Sequence, residues 1–207
     1  MNLKITSFLC ETRIRELTYV VVDTDSNEAF IVDPGTRYSE VMPALDGMAV
    51  RYIILTHAHP DHIIRLPEFR AALPGVPLVM HPEDQDMLGS ADINDTQKIY
   101  GYTVEDKADI YVNDGDTLPF GDDKITFIHT PGHTKGGMCI LVGKDMFSGD
   151  TLFYRTVGRT DLYGGDWETL KASIRDKLFC LDDDIDVYPG HGRPTTIGSE
   201  KRANPFV

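Results

Sequence analysis

Apolar residues fall in short blocks along most of the chain, and the blocks are of strand length. LTYVVVD (17–23) and EAFIVD (28–33) are rich in β-branched residues and are separated by the polar TDSN, which predicts a β-hairpin. Asp33-Pro34-Gly35 breaks the second run, and a short helix is expected around 38–48. VRYIILT (50–56) is mostly apolar, the pattern of a strand buried on both faces. In the segment that follows, Ile63, Leu66, Phe69, Arg70 and Leu73 recur at near-helical spacing, with Pro67 either bending that helix or setting its start. VPLVMH (76–81) reads as another strand, and PEDQDML opens with proline and acids, as the first turn of a helix does.

Residues 89–108 are polar and lack a clear period, so they read as a surface excursion, partly helical, near a site mouth. Strands resume with DIYV, DTLPF, KITFIHT, GMCILVG and DMFSG, joined by the turn signals NDG, GDD and GKD. A helix is expected over 166–181, with Asp166 as N-cap and Leu170, Ile174, Leu178 and Leu181 on one apolar stripe. IDVYPGHG then forms a short strand and a turn. No repeat or linker interrupts the pattern, and one domain spanning 1–207 is expected.

Composition narrows the function. A formal charge of −13 would repel a phosphate backbone, so no nucleic-acid partner is expected. Nor is a membrane partner: no apolar run reaches spanning length, and the N-terminal MNLKITSFLCE is too short for a signal peptide, which places the protein in the cytoplasm. Cys10, Cys139 and Cys180 are widely spaced in apolar surroundings and read as buried free thiols. The acidic 181–186 segment reads as a solvated turn. Nothing in the sequence sets the oligomeric state.

The chemistry concentrates in ILTHAHPDHI (54–63), where three histidines and an aspartate occupy six positions after an apolar run. His57 and His59 are two apart in extended chain, so they project to the same side and can share one cation. Asp61 and His62 follow Pro60 at a helix start and aim at a second point nearby. Zinc takes such nitrogen and oxygen ligands. His133 after TPG, Asp150 in FSGDTLF and His191 after YPG are further candidates, and an aspartate at a strand end can bridge two cations. His81 and His129 read as surface or hydrogen-bonded residues instead.

THAHPDH, PGH, SGD and a second PGH, in this order, together with the upstream IVDPG, resemble the metallo-β-lactamase superfamily over essentially the whole chain. That resemblance implies an α/β fold, an αββα sandwich of two mixed sheets with helices outside and a dinuclear site at one edge. GDTLF, VGRTDL and TTIGSEKRANPF are similar to glyoxalase II, the hydroxyacylglutathione hydrolases. By that likeness His57, His59 and His133 would hold one divalent cation, and Asp61, His62 and His191 a second. Asp150 would bridge them and Asp33 would steady the ligand loop. Zinc is the expected metal, though iron and manganese suit the same donors. The substrate would be a small-molecule thioester, S-2-hydroxyacylglutathione, attacked by a hydroxide between the cations and oriented by Asp61.

By the same likeness Arg159 stands near the position of a basic residue that contacts glutathione, Tyr163 is close by as a second candidate for binding substrate, and Arg155 could add to a small positive patch. The chain stops at Val207, so the helical C-terminal region of larger glyoxalase II enzymes, with its basic residues for glutathione, is not expected. A β-lactamase usually lacks the bridging aspartate, a nuclease would want a basic surface, and a flavodiiron-type enzyme carries glutamate where this chain has His59. The main alternative is a persulfide dioxygenase with one iron on His57, His133 and Asp150. A metal-stabilised binding module is disfavoured, because seven ligands exceed the needs of a closed structural zinc.

Overall fold

A computed structural model describes residues 1–10, 12 and 14–207. Strands β1 (Leu3–Leu9), β2 (Leu17–Asp23), β3 (Glu28–Val32), β4 (Ala49–Ile54), β5 (Leu78–Met80) and β6 (Ile110–Tyr111) form one sheet in chain order. Its first three strands are antiparallel, and β3 to β6 run parallel. Next come β7 (Thr117–Phe120), β8 (Asp123–His129), β9 (Met138–Val142) and β10 (Asp145–Gly149), an antiparallel meander. After a small ribbon of β11 (Leu152–Phe153) and β12 (Thr156–Val157), strands β13 (Asp186–Pro189) and β14 (Thr195–Thr196) complete a second sheet, ordered β14-β13-β10-β9-β8-β7. The pairing of β10 with β13 is parallel, so both sheets are mixed.

Strand alternation explains the layers. Tyr19, Val21, Phe30, Val32, Tyr52 and Ile54 point to a cluster between the sheets, where they meet Phe120, Ile125, Phe127, Ile140 and Phe147. Their neighbours Val20, Val22, Ala29, Ile31 and Ile53 point the other way, into a cluster shared with outer helices. Both faces of β2, β3 and the second half of β4 are therefore buried, which is why those stretches read as nearly unbroken apolar runs.

The outer helices on that side include α1 (Tyr38–Val41), α2 (Pro60–Ile63), α3 (Leu66–Ala72) and α4 (Gln85–Leu88), followed by α5 (Ala91–Asn94) and α6 (Thr96–Tyr100). Helix α7 (Trp167–Ser173), the turn that continues it and α8 (Ile197–Ala203) cover the second sheet through Leu170, Ile174, Leu178 and Ile197. The αββα sandwich matches the expectation. No helix among the described residues is long and apolar enough to cross a membrane.

Local signals worked where they were strong. Asp166 caps α7, accepting from the Thr169 N–H at 2.8 Å. Pro67 sits at the first turn of α3 and sets its start. Beyond Ser173 the chain continues as a π-helical turn, Ile174–Leu178, so the expected single helix over 166–181 is a composite.

Other expectations are corrected. Cys10 and Cys139 are buried, but Cys180 is exposed because it falls in the turn after the π-helical segment. Segment 89–108 is two short helices tied inward, not a surface excursion throughout. The Asn94 amide donates to the Met87 and Val104 carbonyls at 3.1 and 2.9 Å, and Val104 and Ala108 lie in the core. Its polar residues satisfy one another internally, which masks the fold signal. The N-terminal strand β1 and the C-terminal pair β14–α8 carry no pattern strong enough to predict.

Candidate metal centre

Every candidate ligand sits just past a strand end or at a tight turn, and the two sheets bring these points together along one edge. After β4 the chain runs through Leu55 to His59, which caps α2 with extended backbone, and Pro60 takes the first helical position. His59 therefore leaves the extended segment while Asp61 and His62 belong to the first helical turn, so the motif faces two points. His133 follows β8, Asp150 follows β10, and His191 follows β13.

The structure brings all seven together as two groups of three plus one shared carboxylate. His57, His59 and His133 form the first group and Asp61, His62 and His191 the second. His59 Nδ1 lies 2.7 Å from His133 Nε2, and His133 Nε2 lies 3.2 Å from His57 Nε2. Tetrahedral ligands on a metal–nitrogen bond of about 2.0 Å lie roughly 3.3 Å apart, so the group is of ligating size. In the second group His191 Nε2 is 3.2 Å from Asp61 Oδ2, and His62 Nε2 is 3.7 Å from it. Asp150 stands between: Oδ2 is 3.5 Å from His133 Nε2 and 3.4 Å from His191 Nε2, and Oδ1 is 3.4 Å from His62 Nε2.

Three polar atoms here are buried without a hydrogen-bond partner: His59 Nε2, His62 Nε2 and Asp150 Oδ1. Orphaned groups of this kind are costly unless something else satisfies them. For His62 Nε2 and Asp150 Oδ1, which face each other, a cation would be that partner. The donor set fits divalent metal ions.

Ring nitrogens on the far side of His57, His62, His133 and His191 are held, which fixes how those rings point. His133 Nδ1–H donates to the Arg159 carbonyl at 2.7 Å, leaving Nε2 with its lone pair. Thr56 Oγ1 lies 3.0 Å from His57 Nδ1, and Asp33 Oδ2 lies 2.8 Å from His62 Nδ1. Asp33 also takes the Thr56 N–H at 2.7 Å and its hydroxyl at 2.6 Å, so one carboxylate orients both groups. His191 Nδ1 lies 3.3 Å from the Arg15 carbonyl.

The two groups differ in protonation. Burial, then the neighbouring imidazoles, holds His57 well below its ordinary value and His59 at about 3, and burial also lowers His133. These rings are neutral, as ligands must be. Burial opposes a charge on His62 and His191 too, but carboxylates outweigh it: Asp33, Asp61 and Asp150 raise His62 well above the usual range, and Asp150 and Asp61 lift His191 to about 9. Despite burial, those two rings also keep the Asp61 and Asp150 carboxyls below the ordinary range.

Sequence reasoning missed Asp84. Its Oδ2 accepts from the Ala58 N–H at 3.3 Å and the Thr134 hydroxyl at 2.8 Å, and its Oδ1 accepts from the Gly136 N–H at 2.7 Å. It ties the loop carrying His57 and His59 to the loop carrying His133. Burial outweighs those hydrogen bonds and raises its carboxyl to about 6. Thr56 was missed as well, although a hydroxyl immediately before HxHxDH was a usable signal.

A cavity of about 960 Å³ opens from the site and is lined by His59, Asp61, His133, Asp150 and His191. Arg159 and Tyr163 also line it. Arg159 is bound in its own loop, donating from Nε and Nη2 to Asp161 at 2.7 and 2.8 Å, and the Tyr163 hydroxyl donates to Asp86 at 2.7 Å. Arg155 does not join them: its guanidinium donates to the Ala203 carbonyl at the end of α8. His81 and His129 stack 3.7 Å apart, and each ring is hydrogen-bonded, away from the two groups.

The model of the Metallo-beta-lactamase superfamily matches residues 13–191. Hydroxyacylglutathione hydrolase GloC of Haemophilus influenzae is 35% identical over 190 residues, covering 88% of this chain and 89% of that protein. Probable metallo-hydrolase YqgX of Bacillus subtilis is 34% identical over 200 residues, covering 94% and 93%. Among solved structures, BLEG-1 B3 metallo-beta-lactamase superposes with a TM-score of 0.89 at 33% identity, covering 98% of this chain and 99% of that one. TTHA1623 in a di-iron-bound form superposes at 0.84 with 31% identity, covering 98% and 100%.

Proposed function

Because the chain belongs to the metallo-beta-lactamase superfamily, we propose that it is a metal-dependent hydrolase that cleaves a glutathione-type thioester, S-2-hydroxyacylglutathione, at a dinuclear site. The observation that carries the dinuclear reading is Asp150, whose two oxygens lie within 3.5 Å of nitrogens from both groups. GloC supports the thioester, as a relative of nearly the same length named for that substrate class.

Bound cations supply a lowered pKa for water and an electrophile for a carbonyl oxygen. The chain's own residues do the rest. Asp61 faces the cavity with an ionised carboxylate, fit to orient an attacking water and hold its proton at an Oδ atom. His191 Nε2 steadies Asp61 Oδ2 at 3.2 Å. No thiol takes part: Cys10 and Cys139 are buried away from the cavity lining, and burial raises both. Zinc is the metal we favour; the di-iron form of TTHA1623 makes iron the next to test.

The test is metal content of the isolated protein alongside S-lactoylglutathione hydrolysis. Two ions per chain with thioester turnover are expected, and His59→Ala should lose one of them. One iron per chain, with oxygen consumption on glutathione persulfide and no thioester cleavage, would select the dioxygenase reading on His57, His133 and Asp150. Turnover of a β-lactam but not of thioesters would overturn both.

A further inference from the structure

The cavity beside the site has a composition that a small 2-hydroxyacyl group does not need. Of eleven large hydrophobic side chains exposed among the described residues, five line this one cavity: Leu9, Ile14, Ile99, Leu162 and Tyr163. They come from three separate places, the end of β1 with the loop after it, helix α6, and the loop before α7. Scattered exposed apolar residues are ordinary, but a cluster converging on a polar centre marks where an apolar ligand is buried.

The charged groups agree. Among the described residues two arginines line the cavity, Arg15 and Arg159, and the guanidinium of Arg159 is already paired with Asp161. Asp61, Asp95 and Asp150 line it too, in a chain of formal charge −13. The cavity of about 960 Å³ has to take the thiol portion of a thioester as well as its acyl group, and much of its lining away from the ligands is hydrocarbon. Resting on the thioesterase reading for where the acyl group lies, we infer that the wall formed by Leu9, Ile14, Ile99 and Leu162 receives a long aliphatic or aromatic acyl group. The preferred substrates are then thioesters with apolar acyl chains, not lactoyl-sized ones.

S-methyl-, S-butyl- and S-hexylglutathione place an alkyl chain at the acyl position and cannot be hydrolysed, so their binding reads the wall without turnover. Calorimetric titration of the protein should give a Kd that falls about fourfold per methylene until the wall is filled. Ile99→Asp and Leu162→Asp should flatten that slope; both positions are exposed, so neither change removes a core contact. In turnover, kcat/KM for S-(2-hydroxyoctanoyl)glutathione should exceed that for S-lactoylglutathione by at least tenfold. Graded binding without cleavage of either thioester would leave the apolar wall standing and sink the hydrolase reading. Cleavage of both thioesters at equal kcat/KM, with flat or absent S-alkyl binding, would overturn the wall and leave the hydrolase reading intact.

Discussion

At Gly190 the site allows no side chain. A Cβ there would lie 2.4 Å from Asp150 Oδ1, a buried atom, and 2.7 Å from Cε1 of the fully buried His62. Gly190→Ala should therefore displace the shared carboxylate and lower metal affinity roughly 10- to 100-fold, measured by competitive chelator titration. His81 offers a prediction away from the site. Burial, then His129, lowers it to about 4, against the opposing pull of Glu83 and Asp114. The unfolded ring takes its proton near pH 6.5, the folded one only near 4. Between those values the unfolded state binds more protons, so stability falls as pH drops through the window and levels off below it. From pH 7 to 4 the wild type should lose up to about 3 kcal/mol more than His81→Gln, read from urea unfolding at each pH. At this scale the sequence was most legible. All seven candidate ligands converge, because spacing and turn residues encode direction locally. Asp84 was not legible, since its partners at 58, 134 and 136 become neighbours only through the fold.

Among the elements, the strands between two buried layers announced themselves and the short pieces did not. β2, β3 and the second half of β4 carry apolar residues on both faces, a signal independent of partners. β14, with two residues, and β6, also with two, exist only because a neighbouring strand offers hydrogen bonds. The loops that bear the ligands belong to this scale as well, and they are coupled through one carboxylate. Asp84→Ala would strand the Ala58 and Gly136 N–H groups in a buried place, at a cost of roughly 2–4 kcal/mol. Chemical denaturation should register that loss, and Asp84→Asn should recover part of it. Metal affinity should fall in the alanine variant even where the protein remains folded, since the loops holding His59 and His133 are no longer tied.

For the whole molecule, two divalent cations would add four positive charges to a chain of formal charge −13, at the place where its carboxylates are most crowded. Chelator treatment should therefore lower the melting temperature, and restoring metal to about a hundred times its Kd should recover about 2.7 kcal/mol for each ion bound. The arrangement of the ligands also has a temporal consequence. Each group takes residues from 57–62 and completes itself from 133 or 191, so neither is assembled by a contiguous stretch of chain. Closing a loop of that length is slow and comes with the docking of the second sheet upon the first. Capture of metal should be the last event of folding and contribute nothing to the rate-limiting barrier. In stopped-flow experiments zinc should then leave the refolding rate unchanged and slow unfolding by the full stabilisation it confers. The ions would act as a latch, setting how long the native state lasts once it has formed.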